Sequence, residues 1–125
     1  DILDVVANGQ ASELGPVLSS LYAQGVAPVT LCIGAMRHFR RLHVVASDPG
    51  GPGSGVGKLR PPVFGPRRDK VMRQAGHWGR DRLERAIGAL TDTDLQLRSA
   101  AQRAPQMALV ERTLIRLSML AATRR

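Results

Sequence analysis

Between Gly9 and Gly25 the apolar residues Leu14, Val17, Leu18, Leu21 and Tyr22 recur at steps of three and four, which places them on one face of a helix. Ser12 is the expected N-cap, Pro16 is expected in the first turn, and Gly25 offers the left-handed position that ends helices. Pro28 suits the first turn of a second helix, where its missing N–H costs nothing. Along that helix Val29, Cys32, Ile33, Met36, Phe39, Arg40 and His43 are expected to share one side as far as about Ala46. The β-branched residues near Val29 would suit a strand, but the run is too long for one and keeps a 3.6-residue period to Val45.

Residues 47–61, SDPGGPGSGVGKLRP, have no apolar period and mix Pro, Gly and Ser. Such a segment has too little to bury to offset its ordering entropy, so a flexible loop is expected there, and deleting residues 48–57 is expected to change stability little. Pro61, Pro62 and Pro66 mark the re-entry, with a helix from about Pro66 to Ala75 and a break at Gly76, His77, Trp78 and Gly79. A long helix follows with Leu83, Ala86, Ile87, Leu90, Leu97 and Ala101 on one stripe, either continuous or kinked at Thr91 to Asp94. After Pro105, Met107, Val110, Leu114, Leu117 and Ala121 define a last helix that buries a narrow seam. No strand pairs are visible, and short loops between amphipathic helices predict an all-α bundle of about five helices.

The 125 residues make one domain, long enough to bury roughly two-thirds of the surface of the unfolded chain. The lone Cys32 excludes an internal disulfide and fits a reducing cytosol. No apolar run reaches the roughly 20 residues that span a bilayer, so no membrane partner is expected. The start at Asp1, without an initiator Met, suggests a piece of a longer protein. Charge adds the main clue to partners: 18 Lys plus Arg against 10 Asp plus Glu give a net charge of +8. An excess of this size suits an acidic partner, either phosphates or an acidic protein surface, and equally a solvated basic surface that serves solubility alone. It concentrates in residues 58–85, where Lys58, Arg60, Arg67, Arg68, Lys70, Arg73, Arg80, Arg82 and Arg85 face Asp69, Asp81 and Glu84. Arg37, Arg40 and Arg41 form a second basic group.

The motifs that suggest chemistry fail on register. If Gly57-Lys58 were the Gly-Lys pair of a phosphate loop, Pro52 would stand at the first glycine and Leu59 at the magnesium-binding Ser or Thr. Gly53 and Gly55 would need a glycine at Lys58 to complete a dinucleotide fingerprint. His38 and His43 lie roughly 140° apart around a helix and cannot share one metal. Asp92 and Asp94 diverge, and His77 has no nucleophile in a recognisable setting near it. No catalytic, cofactor-binding or metal-ligating residue is therefore assigned, and no small-molecule substrate is expected. Trp78 is expected as a core plug, with a base-stacking platform as the alternative. Tyr22, Phe39 and Phe64 are expected on or beside apolar faces. The helix, break and helix around Gly76 to Gly79 could mimic a helix-turn-helix presenting Arg80, Arg82 and Arg85 to a DNA groove.

Four runs in order, LSSLYAQGVAPVTLCIGAMRHFRRL (Leu18 to Leu42), RPPVFGPRRDKVMRQAGHW (Arg60 to Trp78), LERAIGALTDTDLQLR (Leu83 to Arg98) and ALVERTLIRLSMLA (Ala108 to Ala121), carry a family resemblance. The matching positions are Gln24-Gly25 with Pro28, Phe39-Arg40, Pro61-Pro62, Gln74-Ala75 with Trp78, and Asp94 with Leu97. Over roughly residues 1–121 the chain resembles the C-terminal domain of the bacterial DNA polymerase III delta subunit. It departs from that family at Gly65-Pro66, where aromatic or basic residues are more usual, and in the glycine-rich 50–57 loop.

The resemblance implies a clamp-loader collar domain. Such a domain joins the other clamp-loader subunits in a pentameric ring that loads the sliding clamp on DNA in the cytoplasm. The clamp-opening contacts and AAA+-type modules of the family lie N-terminal to this region, delta is not regarded as a catalytic ATPase, and the family offers no catalytic residue or cofactor to carry over. Candidate contacts to DNA or to another subunit are Arg37, Arg40, Arg41, Lys58, Arg60, Arg67, Arg68 and Lys70. The alternative is a basic helical DNA-binding domain, and an enzyme is the least supported reading.

Overall fold

The computed structural model describes residues 2–123. Seven helices are present among them and no strand: α1 (Ile2–Ala7), α2 (Ala11–Ala23), α3 (Pro28–Ser47), α4 (Pro52–Val56), α5 (Gly65–Trp78), α6 (Arg80–Arg98) and α7 (Gln106–Ala122). The chain is an all-α bundle, with two short helices, α1 and α4, beyond the five that periodicity defines. α3 is the central element and packs against α1, α4, α5, α6 and α7.

Helix ends follow local chemistry with a few shifts. Gly25 (φ 89°) ends α2 and Pro28 opens α3 at its first turn. α2 begins before the expected Ser12 cap, because Glu13 N–H already bonds the Gln10 carbonyl at 3.0 Å. Pro16 therefore falls in the second turn, where its ring is exposed to solvent. The turn expected over Gly76 to Gly79 shrinks to Gly79 (φ 75°), and α5 runs through Gly76 and His77. α6 stays one helix across Thr91 to Asp94, since the Thr91 and Thr93 hydroxyls bond back to the Ile87 and Ala89 carbonyls at 2.8 and 3.0 Å. It stops at Arg98, so Ala101 lies outside it and is exposed. Met107 and Phe64 also lie outside the core, 46% and 75% exposed, because α7 buries Leu109 and Val110 in its first turns and α5 begins only after Phe64.

The buried row of α3 is Leu31, Cys32, Ala35, His38, Phe39, Leu42 and Val45. That face is rotated from the expected one, because small Ala35 and hydrogen-bonded His38 face inward. Ile33, Arg40 and Val44 consequently point out.

The 47–61 segment departs most from expectation. It contains α4 and buries Val56 and Leu59, so it does have apolar surface to contribute. Glycine makes this possible: a Cβ on Gly55 would lie 2.4 Å from the Val45 carbonyl oxygen, so only a bare backbone lets α4 lie against α3. Asp48 anchors the segment by accepting from Gly50 N–H at 2.7 Å and pairing with Lys58 at 2.5 Å.

The core centres on Trp78, fully buried, whose Nε1–H donates to the Ala7 carbonyl at 2.9 Å and whose ring meets Phe39 edge-on at 5.0 Å. It is the core plug expected from sequence and presents no face for stacking a base. Over it sits Arg82, 7% exposed, donating to the carbonyls of His77, Trp78, Leu120 and Thr123 at 2.6 to 3.0 Å. The His77 and Trp78 carbonyls end α5, while the Thr123 carbonyl and that of Leu120, which also accepts from Thr123 N–H at 3.2 Å, lie at the C-terminal end of α7.

Two stability outcomes follow. Gly55→Ala should lower unfolding free energy by about 2 kcal/mol, measured by urea denaturation, because neither the Val45 backbone nor the helix can yield without strain. A wild-type curve for this variant would mean that α4 does not rest on α3. Arg82→Met should cost about 3 kcal/mol by leaving helix-end carbonyls unpaired, and Arg82→Lys should recover little, since an ammonium cannot span four acceptors as the guanidinium fork does. Full recovery by Lys would show that charge alone suffices.

Candidate docking groove

An open groove of about 570 Å³ runs along the outer face of α3. Its lining comes from three stretches that are distant in sequence: Ile33, Met36, Arg37, Arg40, Arg41 and Val44 of α3, Lys58, Leu59 and Arg60 after α4, and Asp94 and Arg98 at the end of α6. The floor is aliphatic and the walls are basic. The packing of α6 along α3 and the return of the chain through α4 bring the three stretches together.

Its charges are unevenly satisfied. Lys58 pairs with Asp48, Arg98 with Asp94 at 3.1 Å, and Arg60 donates to the Leu59 and Gly57 carbonyls at 2.8 and 3.2 Å. Among the described residues Arg37, Arg40 and Arg41 have neither an ion-pair nor a hydrogen-bond partner, and Arg41 Nε is sealed from water without an acceptor. Asp94 Oδ1 is likewise buried and unpaired. Six cations thus surround one carboxylate, and that carboxylate already holds Arg98.

Of the eight basic residues singled out from the sequence, Arg37, Arg40, Arg41, Lys58 and Arg60 converge here. The others do not. Arg67 and Lys70 turn towards α1, where Arg67 Nη1 lies 3.1 Å from Asp4 Oδ1 and Lys70 Nζ 3.9 Å from Asp4 Oδ2. Arg68 is exposed on α5 away from the groove lining. Arg82 is buried against the ends of α5 and α7, so the helix-turn-helix arrangement loses its central arginine. Sequence reasoning missed Asp94 and Arg98 as partners of α3, and no local spacing links them to it. The outward row Ile33, Arg37, Arg40 and Val44, at steps of four, three and four, was a legible signal obscured by assigning Ile33 and Arg40 to the inner face.

Asp4 anchors a second polar cluster under α1. The Gln74 amide donates to Asp4 Oδ1 at 2.9 Å, which turns the Gln74 carbonyl towards His38 Nε2, also at 2.9 Å. The neutral imidazole therefore donates from Nε2. Burial pushes the His38 pKa below the ordinary histidine value, with Gln74 opposing and Arg67 adding to the shift. Burial works to raise the Asp4 carboxyl, but Gln74 and Arg67 outweigh it and hold the group below its usual value. Among the described residues no cluster of His, Cys, Asp or Glu could hold a metal ion, and no helix is long and apolar enough to cross a membrane. Cys32 is buried and burial raises its pKa, which disfavours the reactive thiolate.

No family model, curated protein or solved structure matches this chain.

The His38 cluster sets a pH dependence. From about pH 6.5 down to the depressed pKa of the folded ring, the unfolded chain binds a proton here that the folded chain does not, so acidification costs stability. Asp4 acts in the same direction at lower pH: its contribution is present above the unfolded aspartate pKa and is lost as pH falls through the folded one. The thermal midpoint should fall between about pH 7 and 5, and fall less in His38→Gln, whose amide can still donate to Gln74. Equal falls in the two proteins would assign the effect to other groups.

Proposed function

We propose that this domain is a non-catalytic assembly module of a replicative clamp loader, equivalent to the collar-type C-terminal domain of a DNA polymerase III delta-like subunit. The supporting observation is the order of the four resembling runs on the helices of one bundle: the end of α2 with α3, the approach to α5 with α5 itself, α6, and α7. A collar domain must seal its own core and still offer helix faces to neighbours. Here the core is closed around Trp78, while Ile33, Val44, Leu95, Met107, Ile115 and Met119 stay exposed as aliphatic area for such contacts.

In this role the domain joins paralogous subunits in the ring that loads the sliding clamp on DNA, works in the cytoplasm and takes no cofactor. Catalysis has no part in it, and the chemistry it supplies is docking. Mixing the chain with the remaining clamp-loader subunits of the same organism should yield a heteromeric complex by size-exclusion chromatography and native mass spectrometry, with full-length delta as the positive control. A control complex without one containing this chain would overturn the assignment.

A further inference from the structure

The outer face of α3 carries Ile33, Arg37, Arg40, Arg41 and Val44 at helical steps, a stripe about 17 Å long at the rise of an α-helix. Aliphatic residues stand at both ends of the stripe, and Met36 and Leu59 extend the floor between them and the basic walls. The three central arginines lack internal partners among the described residues. We infer that this groove docks an acidic amphipathic helix of a protein partner, about three turns long. Its apolar residues rest on Ile33, Met36, Val44 and Leu59, and its carboxylates, spaced three and four apart, pair with Arg37, Arg40 and Arg41.

Charge complementarity and the apolar floor together select this occupant. Arg37, Arg40 and Arg41, without ion-pair partners among the described residues, call for an anion, and a guanidinium fork fits a carboxylate bidentately. A nucleic-acid backbone would satisfy the arginines but set sugars and phosphates over exposed Ile33 and Val44. Among the residues lining the groove none is aromatic, so bases have no stacking platform. An amphipathic helix uses both features at once, and the flexible thioether of Met36 adapts to its side chains. The inference rests on the groove alone, so it stands or falls separately from the clamp-loader assignment.

The test is fluorescence anisotropy with the whole 125-residue chain at low salt. The probes are a capped helical peptide of about 16 residues with a leucine stripe flanked by glutamates, the same peptide with glutamine at every glutamate, and single-stranded and duplex DNA of similar length. The acidic peptide should bind saturably, the glutamine peptide at least about tenfold more weakly. Arg37→Glu combined with Arg40→Glu should weaken the acidic peptide by at least about tenfold, while Arg68→Glu, outside the groove, changes it less than about twofold. Circular dichroism confirms that each variant keeps its helices. The proposal is overturned by absent saturable binding, by equal affinity of the glutamine peptide, or by an Arg68→Glu effect as large as the groove reversal. It is also overturned if DNA displaces the peptide and loses its own affinity on reversal of Arg37 and Arg40.

Discussion

The indole of Trp78, with the Arg82 guanidinium above it, ties five helices together. Trp78 ends α5, bonds the last carbonyl of α1 and meets Phe39 of α3, while Arg82 on the first turn of α6 gathers the final carbonyls of α5 and α7. A buried cation is costly unless its donors are satisfied, and here carbonyls at helix C-termini, where the helix dipole is negative, supply the acceptors. The cation centre lies 5.6 Å from the Trp78 ring, so the aromatic face also favours the charge. The single residue Gly79 between α5 and α6 permits this, because its positive φ turns the chain while keeping Trp78 and Arg82 within hydrogen-bond reach.

With the inner face of α3 committed to this core, its outer face becomes the floor of the groove. The inward choice of Ala35, His38 and Leu42 sends Ile33, Arg37, Arg40 and Val44 outward. Lys58, Leu59 and Arg60 then close one side of the groove, carried there by α4, which Gly55 lets approach the α3 backbone, and the end of α6 closes the other. The surface that offers docking is thus a consequence of how the core is satisfied, and it uses residues from both basic groups of the chain.

Net charge alone would treat all eighteen basic residues alike, but the fold assigns them different tasks. Arg82 caps helices, Arg67 and Lys70 hold Asp4, and Lys58 pins the 47–61 segment through Asp48. Arg37, Arg40 and Arg41 alone in the groove are left without such a task among the described residues. Unpaired charges clustered over an aliphatic floor are better evidence for a partner than the total of +8, because internally paired cations have little potential left to offer.

Helix class, the five main helices and the burial of Trp78 were legible in the sequence, because a 3.6-residue apolar period and Gly or Pro punctuation are local signals that tertiary packing reinforces. Three features were decided only by the fold. Polar residues faced inward where a distant partner met them, as Gln74 meets His38, and this rotated the buried face of α3. The glycine-rich segment found burial because Val45 offered a backbone that only a residue without a side chain could approach. The groove joined α3, residues 58–60 and the end of α6, whose separation along the chain leaves no periodic trace. Sequence pattern governs what each segment prefers on its own, whereas the pairing of charges and the fit of backbones depend on which segments meet, and that is settled only when the whole core closes.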